Sequence, residues 1–224
     1  MLIAGFPAGS WGTNCYVVAP AAGEQCVVID PGQDAVPGIE EILREHRLKP
    51  AAVLLTHGHI DHVWSVVPVC GTHDVPAYVH PADRYMLSDP AAGIGMPGRD
   101  LFGMAFAEPS AVIELTGHDE IDLAGLGFVV DYAPGHTEGS VTFRLGETAL
   151  FSGDLVFAGS IGRTDLPGGS YDAILDSLRR VVLPLPDDLP ILSGHGPATT
   201  VGRERATNPY LREAVTAAPT SRGL

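Results

Sequence analysis

The chain has 224 residues, 45% hydrophobic and 18% charged, with 27 acidic against 13 basic side chains and a formal charge of −14. That apolar content offsets chain entropy and excludes a mainly disordered protein, and the length suits one folded unit of roughly 200–250 residues. Twelve of the basic residues are arginine, and the basic residues are scattered, with only Arg179-Arg180 adjacent and Arg47/Lys49 and Arg203/Arg205 one residue apart, so there is no footprint for a phosphate backbone and no basic face for an anionic membrane.

Leu2–Phe6, Asn14–Val18 and Gln25–Ile29 read as short strands separated by turn residues. Apolar residues at Val36, Ile39, Ile42 and Leu43 give Val36–His46 a helical period. Ala51–Leu55 is a continuous apolar run, the mark of a buried strand. A helix over Asp61–Val69, a strand at Ala77–Val79 and a helix at Pro81–Leu87 follow. Ser88–Met104 has no period and six Gly or Pro residues, so it is expected to be a long loop, either a substrate lid carrying Met96 and Phe102 or a plain surface loop. Five strands are predicted next: Val112–Leu115, Glu120–Leu123, Phe128–Tyr132, Ser140–Leu145 and Thr148–Ser152. Tyr171–Val181 is an amphipathic helix, Ile191–Ser193 a short strand and Val201–Thr207 a final helix. Two β-rich halves that each carry helices fit a β-sandwich covered by helices on its outer faces. The start lacks a charged leader before Pro7, and no apolar run nears the ~20 residues of a membrane span. Cys15, Cys26 and Cys70 cannot all pair and are expected to be reduced thiols of a cytoplasmic protein.

The chemistry concentrates in Thr56-His57-Gly58-His59-Ile60-Asp61-His62. Four metal-ligand side chains occupy six positions directly after an apolar strand. Histidine fills only 9 of 224 positions, so this density exceeds what a merely polar loop supplies. Alternate residues of an extended segment face the same way, which aims His57 and His59 together. Imidazole with carboxylate suits zinc, iron or manganese. His46, His73, His80 and His118 have no carboxylate at ligand spacing and are read as ordinary surface or core histidines.

That stretch resembles the T-H-x-H-x-D-H signature of the metallo-β-lactamase superfamily. Pro134-Gly135-His136-Thr137, Ser152-Gly153-Asp154 and Ser193-Gly194-His195-Gly196-Pro197 resemble the family's later motifs, in the family's order, and Asp30 in Ile29-Asp30-Pro31-Gly32 matches its early aspartate. The resemblance spans about residues 10 to 210. It implies a four-layer αββα sandwich, one domain over residues 1–224. It also implies two divalent metal ions, zinc first, with iron or manganese as the other candidates. His57, His59 and His136 would hold one ion, Asp61, His62 and His195 the second, and Asp154 would bridge them. Asp30 is either the start of a Pro-Gly turn or a support for a metal-bound histidine.

Gly159–Ser170 and Gly202–Pro209 resemble the short glyoxalase-II-like (hydroxyacylglutathione hydrolase-like) members. Only 29 residues follow His195, too few for the helical glutathione-binding domain of the long form. Arg163 falls where that family places a basic residue near the substrate thiol; the alternative is structural pairing with Asp165. The resemblance implies hydrolysis of a small S-2-hydroxyacyl thioester by a metal-bridging hydroxide, with Asp61 orienting it and Asp154 holding the ions. The alternative is a persulfide (sulfur) dioxygenase using one iron on His57, His136 and Asp154. Lactonase chemistry and a non-catalytic binding role rank lower. β-Lactamase activity is not expected of a chain without a secretory leader. The expected partner is a small-molecule thioester, not nucleic acid or membrane.

Overall fold

β1 (Leu2–Ala8), β2 (Thr13–Ala19) and β3 (Gln25–Ile29) form an antiparallel meander in the computed structural model, which describes residues 1–100, 103 and 105–216. α1 (Val36–His46) crosses to β4 (Lys49–Leu54), which pairs parallel to β3. Pro37 sits in the first turn of α1, and Arg47 closes the helix in a left-handed cap. The helix predicted over Asp61–Val69 is two helices, α2 (Ile60–Val63) and α3 (Val66–His73). The break has a cause outside the segment. Ser65 donates from its backbone N to Pro31 O (2.9 Å) and from its hydroxyl to Gly32 O (2.7 Å), which binds it to the turn after β3.

β5 (Ala77–Val79), α4 (Pro81–Arg84) and β6 (Val112–Glu114) complete the first half. A 3-10 turn, Ala92–Ile94, punctuates the long loop; Phe102, one of its two proposed lid residues, lies outside the described residues. The second half runs β7 (Glu120–Leu123), β8 (Leu126–Tyr132), β9 (Val141–Leu145), β10 (Ala149–Gly153) and α5 (Tyr171–Ser177), which widens into a π-type turn through Val182. β11 (Pro190–Ser193), β12 (Thr199–Thr200), α6 (Val201–Thr207) and α7 (Pro209–Thr216) follow. β12 and α7 were not expected. A two-residue strand is too short to show alternation. Pro209 does not merely end α6 but opens a new helix, with Asn208 Oδ1 accepting from Tyr210 N at 3.0 Å.

The strands make two six-stranded sheets, ordered β1-β2-β3-β4-β5-β6 and β12-β11-β10-β9-β8-β7. Alternation along the strands sorts their side chains into three apolar layers. Val18, Val27, Ile29 and Leu54 of the first sheet meet Phe128, Val130, Phe143 and Phe151 of the second at the centre. Val17, Val28 and Val53 face outward onto Ile39 and Leu43 of α1 and Val66, Val69 and Cys70 of α3. Leu150 and Ile191 face outward onto Ile174 and Leu178, with Leu211 and Ala214 of α7 beyond. This is the αββα sandwich that the sequence implied. Each of β3, β4, β8, β10 and β11 ends at the same rim, and the chemistry-bearing loops leave from there.

Candidate metal centre

Leu55 to His59 leaves β4, so His57 and His59 stand at the rim; α2 then brings Asp61 and His62 round beneath them. The loop after β8 supplies His136, the end of β10 supplies Asp154, and the turn after β11 supplies His195. His57, His59, His62 and His136 are buried, none more than 4% exposed. All seven side chains proposed from the sequence as ligands therefore meet in one place. His57, His59 and His136 each offer a ligand atom within 4.8 Å of the others, and so do Asp61, His62 and His195. Asp154 lies between the two trios. Its Oδ1 is 3.3 Å from His62 Nε2, and its Oδ2 is 3.4 Å from His136 Nε2 and 3.7 Å from His195 Nε2.

The orphaned atoms test whether this set fits metal. Among the described residues, buried side-chain polar atoms without a hydrogen-bond partner include His57 Nε2, His59 Nε2, His62 Nε2 and Asp154 Oδ1. Buried polar groups are rarely left unpaired, because each loses its water for nothing in return. All four belong to side chains of this cluster, and His59 turns its Nδ1 to within 2.8 Å of His136 Nε2, so the cluster offers the nitrogen and carboxylate-oxygen donors that suit a divalent cation.

The electrostatics divide the histidines: His57 and His59 are held neutral, whereas neighbouring carboxylates raise His62 and His195. Burial, then the charges of neighbouring histidines, holds His57 well below the usual imidazole range and pushes His59 down to about 3. Both therefore keep a free lone pair at neutral pH, the form a metal requires. Burial would raise the carboxyls of Asp61 and Asp154, but neighbouring histidines, led by His62, hold both below the ordinary carboxylate range. Burial alone would strip His62 of its proton; Asp61, Asp154 and Asp30 together reverse that and raise it.

The other ring nitrogens are fixed. His136 Nδ1 donates to Arg163 O (2.8 Å), and His62 Nδ1 donates to Asp30 Oδ2 (3.0 Å). Asp30 also accepts from Thr56 N (2.8 Å) and Thr56 Oγ1 (2.6 Å). It thus both starts the turn, in a left-handed conformation with φ 49°, and orients a candidate ligand. A side chain on Gly194 is excluded, since a Cβ there would lie 2.2 Å from Asp154 Oδ1. Arg163 pairs with Asp165 through Nε (2.8 Å) and Nη2 (2.7 Å) while also lining the pocket above the cluster. That pocket, about 400 Å³, has an apolar wall of Trp11, Ile60, Ile94, Phe157 and Leu166.

Three residues of β2 escaped the sequence reading. Thr13 Oγ1 donates to Asp61 Oδ2 (3.1 Å), Asn14 Nδ2 donates to Ser193 O (2.9 Å), and Tyr16 OH donates to the same carbonyl (2.8 Å). Asn14 and Tyr16 fasten the His195 turn to the first sheet, and Thr13 ties Asp61 to it. No local pattern marks them, because their partners are up to 182 residues away in sequence. Of the histidines read as ordinary, His73 donates to Glu40 (2.8 Å) and His80 stacks on Tyr132.

Comparison with known proteins gives the same answer as the geometry. The metallo-beta-lactamase superfamily model matches residues 8–195. An uncharacterised protein of Mycobacterium tuberculosis is 49% identical over 219 residues, covering 94% of this chain and 98% of the relative. The hydroxyacylglutathione hydrolase GloC of Haemophilus influenzae is 34% identical over 210 residues, covering 92% and 95%. Among solved structures, BLEG-1 B3 metallo-beta-lactamase superposes with TM-score 0.83 at 38% identity, covering 94% of this chain and 99% of that one. TTHA1623 in a di-iron-bound form superposes with TM-score 0.78 at 37% identity, covering 94% and 100%. With the motifs, the two-sheet sandwich and the rim cluster all pointing the same way, the chain belongs to the metallo-β-lactamase superfamily.

Proposed function

We propose that this metallo-hydrolase cleaves small thioesters of the S-2-hydroxyacyl-thiol kind. The observation that carries the reading is the convergence of seven potential ligand side chains, four of them with a buried nitrogen or oxygen that makes no hydrogen bond, beneath an apolar pocket. His57, His59 and His136 would hold one divalent ion and Asp61, His62 and His195 a second, with Asp154 available to both. Zinc is the first candidate, and the di-iron form of TTHA1623 keeps iron in view. Two such ions acidify water to near neutral pH and polarise a substrate carbonyl.

The chain's own residues do the rest. Asp61, ionised and steadied by Thr13 Oγ1, accepts a hydrogen bond from water at the pocket floor and so fixes its direction. Trp11, Ile94, Phe157 and Leu166 exclude bulk water from the acyl group. Arg163 lies at the pocket wall, where it meets the thiol carrier. The two carboxyls lining the pocket, Asp61 and Asp154, would both ligate metal and so would carry no proton for a leaving group. A thiolate, conjugate base of a thiol of pKa about 8.5, departs without one, whereas an amine does not. That difference, with the likeness to GloC, favours a thioester over an amide. The likeness to BLEG-1 supports a second reading, opening of a β-lactam ring, which the lack of a carboxylic proton donor disfavours. Three unpaired, buried cysteines accord with a reducing cytoplasm, and the −14 charge accords with a small-molecule partner rather than nucleic acid.

The test is release of thiol from S-lactoylglutathione and related thioesters, with a β-lactam and a persulfide assayed beside them. Thiol release that stops on chelation and in Asp154→Ala is expected. Ring opening of the β-lactam, or oxygen uptake with the persulfide, while the thioesters stay intact would overturn the proposal.

A further inference from the structure

Asp30 anchors the His62 side of the cluster. A second buried carboxylate, Asp83, occupies the corresponding place on the other side. It is 1% exposed and comes from α4, an element to which neither the motifs nor the proposed chemistry gave a role. Its Oδ2 accepts from Gly58 N (2.9 Å) and from Thr137 Oγ1 (2.6 Å), and its Oδ1 accepts from Gly139 N (2.7 Å). Gly58 is the residue between His57 and His59. Thr137 directly follows His136. One carboxylate therefore ties the loop after β4 to the loop after β8, and these loops carry the three histidines of one trio.

The fit is close on every side. A Cβ on Gly139 would lie 2.6 Å from Asp83 Cγ, and one on Gly58 would lie 2.7 Å from Asp83 O. Both glycines let their backbone N–H groups reach the acid. Thr137 is held in turn, since its hydroxyl shares a 2.7 Å hydrogen bond with Ser140 Oγ and its N donates to the same oxygen at 3.1 Å. Three donors aimed at one buried carboxylate are more than a short turn needs for its own closure. α4 closes locally, through Asp83 N to His80 O (3.0 Å) and Ala82 N to His80 Nδ1 (3.3 Å), without the Asp83 side chain.

We infer that Asp83 is a positioning residue that sets the spacing of His57 and His59 against His136, and so the metal affinity of that trio but not of Asp61, His62 and His195. This rests on the proposed metal centre. Asn in place of Asp keeps the volume but turns an NH₂ toward a backbone N–H, which leaves at least one donor without an acceptor.

The experiment is a Co²⁺ titration of chelator-stripped wild type, Asp83→Asn and Thr137→Val, followed by the visible absorption of the bound ion. Glu204→Gln is the control. Glu204 is equally buried and accepts from Gly159 N (2.7 Å), Thr199 Oγ1 (2.6 Å) and Asn208 Nδ2 (3.0 Å), none of them on the loops that carry His57, His59 and His136. The expected result is two binding steps in wild type. In Asp83→Asn one step weakens by about 10- to 100-fold with an altered spectrum, and the other is unchanged. Thr137→Val moves the same step by less. Glu204→Gln lowers the melting temperature with both steps intact. Two wild-type-like steps in both Asp83→Asn and Thr137→Val overturn the positioning role, as does equal weakening in Glu204→Gln. Absence of Co²⁺ binding by wild type overturns the metal centre itself.

Discussion

Burial pushes the Cys26 and Cys70 thiols up to about 12 and raises Cys15 as well. A thiol in the unfolded chain titrates near 8.5, so between these values the folded state keeps protons that the unfolded chain releases. The stability these thiols confer is full below about pH 8.5 and is lost as pH rises toward 12, by at most about 1.4 kcal/mol per pH unit per thiol. Urea unfolding is therefore expected to show a midpoint that falls steeply above about pH 9, and Cys26→Ala should flatten that fall. A midpoint constant to pH 11 would contradict the assignment. The same burial that silences these thiols holds His57 and His59 neutral, where it leaves ligands free instead of making them inert. His57, His59, Asp61 and His62 were legible because histidine is sparse in the chain and four ligand side chains fall within six positions, whereas His136, Asp154 and His195 were legible only through the resemblance of their motifs to the family's. Thr13, Asn14, Tyr16 and Asp83 were not, because each has a role only after distant strands and loops have been brought together.

Strands and helices act here mainly by where they stop. The loop after β8 shows it best. Gly135 has φ 136°, and a Cβ on it would lie 2.3 Å from Ile174 N in α5. No side chain fits between that loop and the helix, and backbone strain adds to the clash. Gly135→Ala is expected to destabilise the fold by about 2–4 kcal/mol and, by moving His136, to lower the bound metal. Urea melts and metal analysis of the purified variant check both; wild-type values in each would show that the loop tolerates the shift. Alternation made the strands readable, as Val17 and Val18 or Val27 and Val28 divide between outer and inner layers. The α2–α3 break was unreadable, since the carbonyls that hold Ser65 belong to Pro31 and Gly32, over thirty residues earlier. The same limit hid α7, where Asn208-Pro209 reads locally as an end although the chain uses it as a beginning.

At the scale of the molecule, the centre joins the two halves. His57, His59, Asp61 and His62 come from the first sheet's side, and His136, Asp154 and His195 from the second. Four carboxylates, Asp30, Asp61, Asp83 and Asp154, gather at this one rim of a chain whose formal charge is −14. The fold class was legible because five motifs fell in order along nearly the whole chain; the acyl group and thiol carrier were not, because an apolar wall with one arginine accepts many. The claim that binds these levels together is that hydrolysis needs both trios filled. The most direct measurement is thiol release from a thioester by chelator-stripped protein as Zn²⁺ is restored in steps. The expected curve rises with added metal and levels off at about two equivalents per chain. Saturation at one equivalent, with His62→Ala or His195→Ala as active as wild type, would contradict the two-ion account.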